Sequence, residues 1–116
     1  MGDLTRNFSR SEFTCRCGCG YDDISPALVA LLQDIRDYFD APVTVTSGCR
    51  CREHNEASGG ATRSQHLYGT AADIKVYDVS PRAVYDFIDL VYPTTGGLHA
   101  YESFTHVDVR GHRSRW

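Results

Sequence analysis

The chain has 116 residues, enough for one domain with a real but modest core. At 41% hydrophobic and 23% charged residues it does not have the composition of a disordered chain, and a formal net charge of −3 argues against a nucleic-acid partner. No window approaches the roughly 18 apolar residues of a membrane span, so no membrane partner is expected. The opening stretch MGDLTRNFSRSEF lacks the apolar segment of a secretory signal. The expectation is synthesis in the cytoplasm, with any action on the cell wall following lysis or release.

In chain order, residues 1–24 read as an irregular N-terminal arm of a single 1–116 domain, with a helical turn at 9–13. Ser25-Pro26 opens a helix, serine as cap and proline at the first helical position. Leu28, Leu31, Leu32, Ile35 and Phe39 then keep helical spacing over 26–39, and Ala41-Pro42 stops it. The β-branched run 43–46 predicts a strand that ends at Ser47-Gly48. A short helix is expected at 51–57 and a loop at 58–61. Residues 71–76 alternate, with Ala72, Ile74 and Val76 on one face and Ala71, Asp73 and Lys75 on the other. Ser80-Pro81 repeats the helix start for 81–91, with Val84, Phe87, Ile88 and Val91 as its apolar stripe. A turn at 93–97 leads to a hairpin of 98–101 and 104–109. The interleaved elements and the antiparallel hairpin make the fold class α+β: a small antiparallel sheet with flanking helices. The basic tail holding Arg110, His112, Arg113 and Arg115 reads as solvated.

Five cysteines are many for this length. They stand in CRCGC (Cys15, Cys17, Cys19) and CRC (Cys49, Cys51), and the odd count leaves at least one thiol unpaired in a monomer. CRCGC lacks the C-x2-C pairs of a zinc ribbon. Free thiols, or one disulfide joining the arm to the residues near 50, rank above a thiolate metal site. Without a signal the reduced state is the default.

SQHLYGTAAD, residues 64–73, carries an imidazole, His66, and a carboxylate, Asp73, with Gly69 and small residues between them to allow a tight turn. A zinc site needs three or four ligands. Of His54, His99, His106 and His112, His106 is the best third ligand. It is mid-strand, and period two puts it on one face with Asp108 and Arg110. If that strand pairs beside 71–76, His106 meets Asp73 across the sheet. By spacing alone, a surface or core histidine and an edge aspartate are the commoner readings.

SQHLYGTAAD also matches S-x-H-x-x-G-x-A-x-D, and so resembles the signature of the zinc D-Ala-D-Ala carboxypeptidases and L-Ala-D-Glu endolysins, which share a fold with the hedgehog signalling domain. FSRSEFTCRCGCG resembles the N-terminal arm of that family, VTSGCRCREHN its S-G-Y-R-x-x-x-H-N segment, and GGLHAYESFTHVDVR its closing hairpin. The resemblance covers nearly the whole chain, in order. It implies a metallopeptidase with one Zn2+ held by His66, Asp73 and His106, and the peptidoglycan stem peptide as substrate.

The resemblance also places Arg50 over the metal as the cation that meets the substrate and its oxyanion, with Cys49 where the family has tyrosine. Ser64 is expected to contact substrate or orient the first ligand. The family often carries an acidic residue three positions before its last ligand; here that position is Ser103. Glu102 and Asp108 are the near-equal candidates for the general base, with Asp108 also readable as an orienting group or a partner of Arg110. His99, where glycine is commoner in the family, is a third candidate and a substrate contact. The alternative is a zinc-stabilised binding or structural domain without hydrolysis, for example a phage tail component. No association motif is visible, so a monomer is expected.

Overall fold

The computed structural model describes residues 2–57, 59, 64–93 and 96–116. A 3₁₀ turn at Arg10–Glu12 precedes α1 (Pro26–Phe39), β1 (Val43–Ser47) and α2 (Arg52–Ala57). A second 3₁₀ turn, Gln65–Tyr68, leads to β2 (Ala71–Val76), α3 (Pro81–Val91), β3 (Gly97–Ala100), β4 (Thr105–Asp108) and β5 (Ser114–Arg115). The five strands form one sheet in the order β1-β2-β4-β3-β5. All neighbours are antiparallel except β3 and β5, which run parallel.

The helices start where local chemistry allows. Ser25 is extended and Pro26 presets the first turn of α1, which ends at Asp40 in the left-handed region. At α3 the Ser80 hydroxyl accepts from the Ala83 N–H at 3.1 Å, satisfying one of the amides that have no partner inside the helix. Leu28, Leu32 and Ile35 of α1 and Val84 and Ile88 of α3 are buried in one cluster with Ala72, Ile74, Leu98 and Val107 of the sheet. Each of the leucines, isoleucines and valines contributes about 1.5–3 kcal/mol on leaving water. Because both helices cover this one face, the other face of the sheet is left for polar groups.

The arm joins the core through Phe8 and Phe13, and Phe13 accepts from the Cys49 N–H at 2.8 Å. Tyr38 is 65% exposed and stacks on Phe87 with ring centroids 4.1 Å apart. The tail corrects the solvated reading. Its backbone pairs with β3, and Arg113 and Arg115 bind Asp89 at 3.0 and 2.9 Å. Of the expected loop 58–61, only Gly59 is described, and Thr94 and Thr95 of the turn 93–97 lie outside the described residues. Among the described residues no helix is long and apolar enough to cross a membrane.

Candidate metal centre

Strand register assembles the site. Ser47 stands opposite Asp73, Asp73 opposite His106, and His106 opposite His99. Directly opposed residues on antiparallel strands share a face, with Cβ atoms about 4.5–5.5 Å apart. Four strands thus line up one polar row on the face turned away from the helices. Ser47 reaches the row because the register shifts between Val45 and Ser47. Such a bulge sets two residues against one and turns the second to the other face. Without it Ser47 shares the core face of Val45.

His66 arrives from outside the sheet, on the 3₁₀ turn before β2. Ser64 caps that turn, its hydroxyl accepting from the His66 N–H at 3.2 Å. Gly69 closes it with φ at 69°, a region open to glycine. The His66 Nδ1–H donates to the Gly48 carbonyl at 2.7 Å, which turns Nε2 toward Asp73 Oδ1, 3.3 Å away. His106 is fixed from behind in the same way. Its Nε2–H donates to Asp108 Oδ2 at 2.9 Å, and its Nδ1 faces Asp73 Oδ1 at 3.0 Å.

These contacts test whether a cation fits. Each imidazole spends its proton on an acceptor behind it, so each presents a lone pair to the same carboxylate oxygen. Two lone pairs at about 3 Å from a carboxylate repel unless a proton or a cation lies between. Tetrahedral zinc, with bonds near 2.0–2.1 Å to its N and O ligands, separates those ligands by about 3.4 Å. The ligand atoms of His66, Asp73 and His106 all lie within 4.8 Å of one another, and all three residues are buried. Two nitrogens, one oxygen and a position left for water is the donor set of a catalytic zinc site.

The electrostatics follow from the same bonds. Burial pushes the Asp73 carboxyl up, but hydrogen bonds and charge from His106 and His66 outweigh it and hold the group well below the usual carboxylate range. Burial pushes His106 down, and the two carboxylates at Asp108 and Asp73 more than reverse this and raise it. Asp108 is 1% exposed. Burial pushes it up, yet hydrogen bonds from His106, from the Arg110 side chain and backbone and from the Gly97 N–H hold it low.

Arg50 reaches the row from the segment between β1 and α2. Its Nε–H donates to Ser47 Oγ at 3.0 Å, Nη2 to Asp73 Oδ2 at 3.3 Å and Nη1 to Asn55 Oδ1 at 3.4 Å. Ser47 and Asn55 had no role in the sequence reading. The segment VTSGCRCREHN contains both, but only the bulge and the start of α2 show what they hold.

The two carboxylates expected as candidates for the base stand in very different places. Asp108 lies behind His106 with its oxygens engaged by His106, Arg110 at 2.7–3.1 Å and Gly97 at 2.7 Å. Glu102 is exposed on the turn between β3 and β4. It lies three residues after His99 and four before His106, beyond the last paired residues, Ala100 and Thr105. His99, by contrast, stands in the ligand row. Its Nδ1–H donates to the Trp116 carbonyl, and its ring stacks on the Trp116 indole with centroids 5.6 Å apart. The Trp116 ring also lies 5.2 Å from that of His106 and 5.4 Å from the Arg110 guanidinium.

The profile of the family described as Peptidase M15 matches residues 6–108, nearly the full length over which these elements run. No curated protein matches the chain.

Proposed function

The chain belongs to the peptidase M15 family of zinc metallopeptidases, and from that premise we propose that it hydrolyses one peptide bond in the stem peptide of peptidoglycan, either the terminal D-Ala–D-Ala bond or the L-Ala–D-Glu bond. The observation that carries the reading is the convergence of His66, Asp73 and His106 beside Arg50 on the open face of the sheet. His66 Nε2, an Asp73 oxygen and His106 Nδ1 would hold the ion. Zinc in such a site lowers the pKa of a water toward about 7 and polarises a peptide carbonyl.

The protein's own groups supply the rest. Arg50, anchored through Ser47 and Asn55, keeps its guanidinium beside Asp73, where it meets the negative charge that builds on the scissile carbonyl oxygen. We assign proton acceptance to His99 rather than to Glu102 or Asp108. With Nδ1–H donated to the Trp116 carbonyl, its Nε2 carries the lone pair that a general base needs. Asp108 is a positioning residue that fixes the His106 ring and raises its basicity. Tyr101 and Trp116, partly exposed around His99, offer apolar walls for the short side chains of the stem. In this reading Ser64 shapes the turn that carries His66. The enzyme meets its substrate in the cell wall after release.

The test is mass spectrometry of defined muropeptides incubated with the purified protein, with and without chelator. Chelator-sensitive loss of a single alanine from a pentapeptide stem marks a carboxypeptidase. Release of the stem after its first L-Ala marks an endolysin. No product from a zinc-loaded protein overturns the proposal.

A further inference from the structure

The five cysteines divide four and one. Cys49 is 1% exposed inside the apolar core. Cys15, Cys17, Cys19 and Cys51 gather on the other side of that segment, their Sγ atoms all within 4.8 Å of one another. The Cys15–Cys17 and Cys17–Cys51 sulfurs are each 3.5 Å apart. Four thiolates around zinc, with bonds near 2.3 Å, stand about 3.8 Å from each other. The four sulfurs are thus already close to the corners of such a cage.

The backbone builds this arrangement. Alternate residues of an extended chain lie about 7 Å apart, too far for three cysteines to share one ion. Gly18 and Gly20, with φ at 85° and 88°, curl the CRCGCG stretch and bring its sulfurs together. The Cys51 N–H donates to Cys15 Sγ and the His54 N–H to Cys51 Sγ, both at 3.4 Å. Such donors favour the thiolate over the thiol. CRCGC has no zinc-ribbon spacing, which is why its sequence ranks free thiols or a disulfide first; the fourth sulfur comes from the far side of β1.

We propose that Cys15, Cys17, Cys19 and Cys51 bind a second Zn2+ as a closed, structural four-thiolate site. Each thiol releases its proton on binding, and no position remains for water, so the site takes no part in hydrolysis. Its effect is mechanical. It staples the arm to the residue next to Arg50, at the head of α2, and so holds the segment from which the guanidinium reaches Asp73.

The experiment combines metal counting with thiol reactivity on the full chain, purified under reducing conditions and exchanged into metal-free buffer. Native mass spectrometry is expected to find two zinc ions in the wild type and one in His106→Ala. Cys17 and Cys19, though exposed, should alkylate at least about tenfold more slowly before chelator than after it. Cobalt added to metal-stripped His106→Ala should give thiolate-to-metal charge-transfer absorption, a readout independent of peptidase activity. One zinc in the wild type with Cys17 and Cys19 alkylating at the same rate with and without chelator overturns the proposal. So does a mass showing disulfides, or stoichiometric iron in place of zinc. The thiol measurement needs no variant, so a His106→Ala protein that fails to fold leaves it decisive.

Discussion

The two clusters of side chains that could hold a metal are built on opposite principles. His66, Asp73 and His106 are buried, and the sheet itself aligns two of them: Asp73 and His106 are register partners. Each histidine is braced from behind, by the Gly48 carbonyl and by Asp108. Three of the four cysteines stand on a glycine-curled loop, with Cys17 and Cys19 exposed, and Cys51 joins them from the head of α2. Hydrogen-bonded strands set the spacing of the first cluster, whereas turns at Gly18 and Gly20 and two N–H···S bonds gather the second. A site for chemistry gains from being rigid before substrate arrives; a site that only staples can form as the metal binds.

The strongest way to break this comparison is at Arg50, which bonds Asp73 in the polar row but is carried by the segment that the proposed thiolate site would hold. Arg50→Ala should lower kcat by about 10²–10³-fold, the effect of losing one oxyanion donor, with both zinc ions retained. Arg50→Lys should recover little of it, because one ammonium cannot span Ser47, Asn55 and Asp73 as the guanidinium does. Steady-state kinetics beside metal analysis checks both variants. Unchanged kcat would remove Arg50 from the chemistry; lost zinc would make it a support of the metal centre instead.

A second test sharpens the role of bracing. Asp108→Asn should cost about 10–100-fold in zinc affinity or activity, the usual effect of losing a group that orients a ligand. Its pH dependence has a definite sign. The folded Asp108 pKa lies below its unfolded value near 3.9, so the carboxylate stabilises the fold above that pH. That contribution fades as pH falls below about 4. In chelator, the melting temperature of the wild type should therefore exceed that of Asp108→Asn at pH 7 and converge toward it in acid. A constant gap would mean that Asp108 acts by shape rather than charge.

The same contrast explains what was legible in the sequence. Period-two alternation over 71–76 and around His106 is a local signal, and it is enough to put Asp73 and His106 on facing positions once the two strands pair. Serine-proline starts marked both long helices for the same reason, since the first turn is decided locally, although only Ser80 caps with its side chain and at Ser25 the proline alone presets the turn. The bulge that turns Ser47 into the row is set by pairing with β2, and no local pattern in VTVTS announces it. β5 is two residues long and held by arginines reaching Asp89, so it left no periodicity to read. Glu102 and Asp108 looked equivalent in the sequence because chain distance from His106 does not tell the hairpin tip from the space behind the ring. The cysteine cluster was hidden because its fourth member joins only after the arm has folded back onto the end of β1.

Cys49 supplies the smallest effect and the cleanest control. It lies between Gly48, which braces His66, and Arg50, yet its own side chain faces the core. Burial first, then the nearby charges of Asp22 and Asp23, push its thiol up to about 11, so it stays protonated at neutral pH and is a poor ligand. Cys49→Ala should therefore leave zinc content and alkylation of the other four cysteines unchanged and cost about 1 kcal/mol in stability, a typical small core loss. Chemical denaturation with native mass spectrometry reads both. If the variant instead lost one zinc, the division of the cysteines into four ligands and one core residue would fail, and the staple would have to be drawn from a different set of sulfurs. If it kept both ions but lost several kcal/mol, the core would be more tightly packed around Cys49 than its small side chain implies.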